Sequence, residues 1–307
     1  MDLAQCIRQQ KSILMEGALG ERLKREHHLA FDPQVAMARL VYDPRGAAAL
    51  RHLWGQYLHI AEQYGLPFLA TTPTRRANRE RMALAGLDGT VIWDNVRFLR
   101  RIQSGSSVPM YVGGLMGCRG DAYTGEGALS APEALAFHRW QAEQFQKAGA
   151  DFLYAGIMPT LPEAIGMAQA MSGMGLPYLI SFTIQRDGRL IDGTTIHDAI
   201  CHIDQDTDRP PLCYMTNCVH PSIVREALLQ PFNHTERVQG RFWGVQGNTS
   251  PLSYAELDGA KELRSSAPEP FAEEMLRLRE VGDIRIFGGC CGTDQRHMEA
   301  IARRLQA

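Results

Sequence analysis

The chain has 307 residues, 45% of them hydrophobic, and a formal net charge of -2. That much apolar material fills a large core, and the length allows one or two domains, although α/β barrels reach this size as one. Acids and bases are interspersed with no basic stripe or block of like charge, which argues against nucleic acid and membrane surfaces as partners.

The first residues, MDLAQCIRQQKSILMEG, hold no apolar stretch long enough for a signal peptide. No window approaches the run of about 18 apolar residues expected of a membrane span, so a cytosolic protein is expected. Short apolar runs then recur: SILME (12–16), PFLATT (67–72), PMYVGG (109–114), DFLYAGI (151–157), PYLISFTI (177–184), PLCYMTN (211–217), FWGVQGN (242–248) and IRIFGG (284–289). Most are continuous rather than alternating, as strands of a parallel sheet buried on both faces read.

Helical patterns lie between them. Leu50, Leu53, Trp54, Tyr57, Leu58 and Ala61 mark one face at spacings of three and four. Ser130 to Glu133, Thr160 to Glu163 and Ser253 to Glu256 each have the spacing of a capping box. Residues 186–210, rich in Asp and His, and 264–270 read as loops. Pro221 stands where a helix after the sixth run begins, and Met298, Ile301, Ala302 and Leu305 share one side of the last helix. Eight strands alternating with helices predict an α/β fold, a (β/α)8 TIM barrel forming a single domain over 1–307. An open doubly wound sheet is the alternative, but Met15-Glu-Gly-Ala-Leu-Gly20 lacks the Gly-x-Gly-x-x-Gly spacing.

The seven cysteines are scattered and odd in number, a poor disulfide framework. A barrel's chemistry sits at the C-terminal ends of its strands. Cys218 follows the sixth run, and Cys290 and Cys291 follow the eighth. Strands six and eight lie two apart around a ring, so these three thiols share one mouth. Three thiolates suit zinc, and a catalytic zinc keeps a fourth position open. Neighbouring side chains of a strand point to opposite faces, so Cys290 and Cys291 reach one ion only if the backbone turns sharply. Gly288, Gly289 and Gly292 supply that freedom. A pair of buried small hydrophobes and a redox-active pair remain open for Cys290 and Cys291. Cys213, inside the sixth run, reads as core.

GGCCGT near the C-terminus, with NC about 70 residues upstream, resembles the homocysteine S-methyltransferase family. So do ILMEGALGERL, DGRLIDGTTIHDAI, NCVHPSIV, GNTSPLSYAELD and GTDQRHMEAIARRL, in order along the chain. The resemblance implies a (β/α)8 barrel with zinc held by Cys218, Cys290 and Cys291. It implies methyl transfer from a small donor to the thiolate of homocysteine or a related thiol. Substrate contacts are expected at Glu16, where the family places an acid, and at Thr72, Asn217 and Asn248 near strand ends.

Two stretches depart from the family pattern. Gly156 and Ile157 stand in place of a Glu-Thr whose Glu helps hold homocysteine's amino group, which puts homocysteine itself in question. TTPTRRAN (71–78) replaces a stretch that more often ends in an aromatic, and Arg75 and Arg76 there either meet a carboxylate or are solvated. With a sulfonium or quaternary ammonium donor the leaving group departs neutral and no general acid is needed, which favours a small cationic donor such as S-methylmethionine or S-adenosylmethionine. Tyr154, Phe182 and Trp243 lie in strand runs where an aromatic either faces such a cation or packs in the core. Zinc-dependent hydrolysis or elimination, and a purely structural or redox-sensing zinc, are the competing readings. Monomer and homo-oligomer are both left open.

Overall fold

Each of the eight runs forms a strand. In the computed structural model, which describes residues 1–251 and 266–306, the strands are β1 (Ile13–Met15), β2 (Phe68–Thr71), β3 (Met110–Gly117), β4 (Phe152–Met158), β5 (Tyr178–Phe182), β6 (Cys213–Val219), β7 (Phe242–Gly247) and β8 (Ile286–Gly289). They follow one another around a closed parallel barrel, and pairing of Ile13 with Ile286 and of Leu14 with Phe287 shuts the ring. The described helices are α1 (Leu3–Gln9), α2 (Gly20–Arg25), α3 (Pro44–Gln63), α4 (Arg79–Leu84), α5 (Thr90–Gln103), α6 (Ala131–Ala148), α7 (Leu161–Ser172), α8 (Ile196–Gln205), α9 (Pro221–Leu229), α10 (Glu236–Arg241), α11 (Pro268–Arg277) and α12 (Gln295–Gln306). None of them is long and apolar enough to cross a membrane.

Alternation along the strands divides the apolar side chains into two layers. Met15, Leu69, Phe152, Tyr154, Leu179 and Met215 pack inside the barrel. Leu14, Ala70, Val112, Ile180, Val245 and Phe287 face outward against the helices. The stripe predicted between residues 50 and 61 is the buried face of α3. The barrel's lower end is closed by α1, whose Leu3, Cys6 and Ile7 join the inner layer. Asp2 and Gln5 form a capping box at the start of α1. At its end Arg285 donates to the carbonyls of Ile7 and Arg8 at 3.0 and 3.1 Å, where a helix leaves acceptors unmatched.

Three local expectations are corrected. Residues 186–210 are not all loop: α8 lies within them, because Ile196, Ala199, Ile200 and Ile203 make a buried stripe among the polar residues and Thr195 accepts from the Asp198 N–H at 2.9 Å. The stretch 264–270 likewise contains the start of α11, with Pro268 in its first turn. Glu133 reaches back to the Ser130 N–H at 3.0 Å as expected. Thr160 makes no side-chain cap, and Glu163 instead turns inward, fully buried, toward His138 Nε2 at 3.1 Å. The third capping spacing, at Ser253, lies outside the described residues.

The inner layer is tightly fitted around Phe152: a Cβ on Gly113 would stand only 2.3 Å from its ring. Phe152→Ala should therefore destabilise the fold by about 3–5 kcal/mol. A thermal melt within a degree or two of the parent would show the barrel interior to be loosely packed.

Candidate metal centre and active site

The backbone explains how thiols on two strands reach one point. On β6 the pairing with β7 shifts register between Asn217 and Val219, so Cys218 is the extra residue of a bulge. Its φ of +63°, unusual for a residue with a side chain, re-aims the thiol. After β8 the Thr293 N–H donates to the Cys290 carbonyl at 3.1 Å, closing a four-residue turn. Gly292, at φ +81°, is its third residue, and a Cβ there would lie 1.9 Å from Thr249 Oγ1. Its N–H donates to Glu21 Oε2 at 2.7 Å, while the Thr249 N–H donates to the Cys291 carbonyl at 3.1 Å. This turn lets two consecutive cysteines face the same place.

The sulfurs of Cys218, Cys290 and Cys291 all lie within 4.8 Å of one another, and those of Cys218 and Cys291 are 3.7 Å apart. A tetrahedral ion with sulfur ligands at about 2.3 Å spaces them by roughly 3.8 Å. The all-sulfur donor set and this spacing fit zinc. The thiols of Cys290 and Cys291 point their hydrogen bonds at Cys218, which holds Cys218 well below the ordinary thiol range. Cys290 and Cys291 are pushed up, chiefly by that same bond to Cys218. One negative charge is thus accommodated and further ionisation resisted, as expected of a site built for a cation.

Tyr123 joins this site although the sequence did not single it out. It hydrogen-bonds to Cys218 from the loop between β3 and α6, and the neighbouring sulfurs, Cys218 foremost, push its phenol well above its ordinary value. Asp121 sets the loop by accepting from the N–H groups of Tyr123 and Thr124, both at 2.8 Å. Glu163 pins both stems, accepting from the N–H of Arg119 at 2.7 Å and of Leu129 at 3.4 Å. The only signal along the chain is one aromatic within a Gly- and Asp-rich loop.

The residues expected to contact substrate divide. Glu16 is buried at the end of β1, and its carboxylate accepts from the N–H of Thr71 at 3.2 Å and from its hydroxyl. Burial is the main cause that pushes Glu16 up to about 7. Asn217 Oδ1 accepts from Ser181 Oγ at 2.7 Å and from the N–H of Ile157 at 3.0 Å. The Ile157 backbone is left-handed, at φ +58°. Thr72 is fully buried, and its Oγ1 meets the Leu115 N–H at 3.2 Å and Thr74 Oγ1 at 2.7 Å, tying β2 to β3. Asn248 Oδ1 accepts from the Ser250 N–H at 3.0 Å within its own loop. Of the three aromatics, Tyr154 faces the interior and donates to Gln246 Oε1 at 2.7 Å. Phe182 stacks on Tyr214 in the outer layer. Trp243 is at the opposite end of the barrel, with the Arg285 guanidinium 4.5 Å above its ring, because it begins β7 rather than ending it.

The family described as homocysteine S-methyltransferase matches residues 13–305. Rat betaine–homocysteine S-methyltransferase 1 is 26% identical over 212 residues, 61% of this chain and 49% of that one. Homocysteine S-methyltransferase YbgG of Bacillus subtilis (strain 168) is 26% identical over 196 residues, 60% of this chain and 56% of that one. The matched part thus spans about half the length of these curated relatives. In fold, the metallated form of the homocysteine methyltransferase MmuM from Escherichia coli superposes with a TM-score of 0.73, at 22% identity over 97% of this chain and 98% of that one. Its oxidised form gives 0.76 at 20% identity, over 97% of each chain.

Gly292→Ala should strain the turn by about 1–3 kcal/mol and lower zinc affinity, measured by competition with a chromophoric chelator. Unchanged affinity would mean that the turn does not set the thiols. For Glu16, a folded-state value of about 7 against an ordinary 4.5 gives stability that is full at low pH and lost as pH rises through about 7. The whole loss is about 3 kcal/mol at 1.36 kcal/mol per unit. Denaturant unfolding of metal-free protein between about pH 5 and pH 8 should therefore show a smaller loss for Glu16→Gln than for the parent. Equal losses would place the carboxyl in a solvated setting.

Proposed function

This chain belongs to the homocysteine S-methyltransferase family, and on that premise we propose that it transfers a methyl group from a small cationic donor to the sulfur of homocysteine or a related thiol, with Cys218, Cys290 and Cys291 holding zinc. The observation that carries the reading is the sulfur trio at the barrel's C-terminal rim. Zinc bound there supplies the Lewis acidity that keeps a thiol deprotonated at neutral pH.

The chain's own residues do the rest. Tyr123 orients Cys218 through its hydrogen bond and covers the trio from the β3–α6 side. Burial outweighs the Thr71 bonds, which favour the carboxylate, and pushes Glu16 up to about 7, so negative charge in the mouth is weighted toward the sulfurs, where it attracts a cationic donor. In the reaction the acceptor's thiol proton goes to solvent. A sulfur electron pair then forms the new S–C bond as the donor's C–S or C–N bond breaks, and the leaving group departs neutral with the electron pair of the broken bond. No general acid is required. His220, the one histidine at a strand end, is engaged in capping α9 through Nδ1. Alignment of the two substrates supplies most of the acceleration. An all-sulfur trio disfavours hydrolysis, because water activation is usually built on His or carboxylate ligands.

The test pairs homocysteine with S-methylmethionine, S-adenosylmethionine and betaine on zinc-loaded protein, with methylated product read by mass spectrometry. Product is expected with at least one pair, and Cys290→Ser should lower its rate by at least roughly 100-fold while the protein stays folded. Unfolding of that variant would favour a structural zinc, and no turnover with any pair would remove the proposed reaction.

A further inference from the structure

The rim formed by β2, β3 and β4 differs from the sulfur side of the mouth. A Cβ on Gly113 would meet Phe152 inside the barrel, and one on Gly114 would meet Phe145 of α6 outside. Positions 115 and 117 of β3 therefore face inward. On β4 Tyr154 faces inward, and so does Gly156, whose Cβ would meet Leu115 Cδ1 at 2.8 Å. Gly117 and Gly156 are paired partners across the two strands. Two adjacent inward places on the rim thus carry no side chain. The stem of Arg75 lies over them: a Cβ on Gly117 would stand 2.5 Å from Arg75 Cγ.

The turn that presents Arg75 and Arg76 is held firmly. Thr74 Oγ1 donates to the Leu115 carbonyl at 3.0 Å, Gln141 Nε2 donates to the Thr74 carbonyl at 3.0 Å, and Asn78 caps α4. Both arginines are half-buried, and neither guanidinium has a hydrogen-bonded or ion-pair partner among the described residues. Burial, then Arg81 and Arg75, push Arg76 below its ordinary value. The acid that feels Arg75 is Asp121, whose Oδ1 already serves the loop N–H groups of Tyr123 and Thr124. Two half-buried cations on a rigid turn, one of them packed over a wall of glycine, lack an anion.

We propose that Arg75 and Arg76 bind the anionic tail of the acceptor thiol, a carboxylate or sulfonate, and that the acceptor needs no ammonium group. This rests on the methyl-transfer reading and narrows its substrate class. Position 156 offers no acid to an ammonium, and the Glu16 carboxylate is engaged by Thr71. An ammonium entering this side meets like charge, whereas a carboxylate gains charge-assisted, two-pronged bonds from a preorganised guanidinium. The donor's positive centre stays on the opposite side, near the sulfurs.

The experiment compares homocysteine with its deaminated form, 4-mercaptobutanoate, and its decarboxylated form, 3-aminopropane-1-thiol, on zinc-loaded protein. Methylation of 4-mercaptobutanoate should be at least as efficient as that of homocysteine, and methylation of the aminothiol roughly 100-fold less. Joint replacement Arg75→Gln and Arg76→Gln should raise KM for 4-mercaptobutanoate roughly 10- to 100-fold, lower it for the aminothiol, and be rescued in part by lysines. A KM change confined to the methyl donor would assign the arginines to the donor and overturn the proposal, as would preference for the aminothiol. Calorimetric titration with butanoate, which has no thiol to methylate, gives an independent reading. Binding by the parent and not by the double variant supports the anion site even if no thiol is methylated, a result that would remove only the reaction. Equal or absent binding in both proteins overturns the site.

Discussion

Three sulfur atoms held within 4.8 Å of one another repel as soon as more than one is ionised, and much of the barrel mouth is arranged around that repulsion. A cation relieves it. In the protein alone, Cys218 takes the charge while Cys290, Cys291 and Tyr123 turn their hydrogens toward it. Glu16 brings a carboxyl group to the inner mouth, and burial, only partly offset by its Thr71 contacts, pushes it up to about 7. Negative charge in the mouth is therefore weighted toward soft atoms, which suits sulfur chemistry better than water activation.

Holding the trio together requires backbone that ordinary strands do not offer. Cys218 adopts a left-handed conformation within a bulge, and Gly292 adopts one within the turn after β8. Contacts from several elements retain these conformations: Gly247 accepts from the Cys290 N–H at 2.8 Å, Glu16 accepts through its carbonyl from the Gly289 N–H at 3.0 Å, and Glu21 binds the N–H of Gly292. The β3–α6 loop is fastened separately. Its clasp, Glu163 with His138, is fully buried behind α6 and α7, so the position of Tyr123 depends on helix packing away from the thiols.

The two sides of the mouth differ in character. The β6 and β8 side keeps the NC and GGCC motifs that carry the family resemblance. The β2, β3 and β4 side combines Arg75 and Arg76 with Gly117 and Gly156, a cationic rim beside missing side chains. Ile157 is held there by Asn217, itself the neighbour of Cys218, so the altered wall and the sulfur trio are joined through one side chain.

The barrel and its thiols were legible in the order of residues alone. Continuous apolar runs can be buried on both faces only in a parallel sheet covered by helices, and eight of them leave closure as the natural outcome. Because strand ends of a ring share a mouth, the meeting of Cys218 with Cys290 and Cys291 could be read as well. What followed from packing could not. The stripe of α8 was masked by the polar residues around it, and Glu163 stood at a capping position but was drawn inward by His138 and the loop N–H groups. The end of the barrel that Trp243 would occupy depended on where β7 starts. Folding in three dimensions settled which polar residues near the strand ends remain turned to the mouth and which tie strands together or fasten their own loop, as Thr72 and Asn248 do. It also laid Arg75 over Gly117. A hydrogen-bond partner or a side chain packed over a glycine is set by atoms distant along the chain, and local sequence carries no record of them.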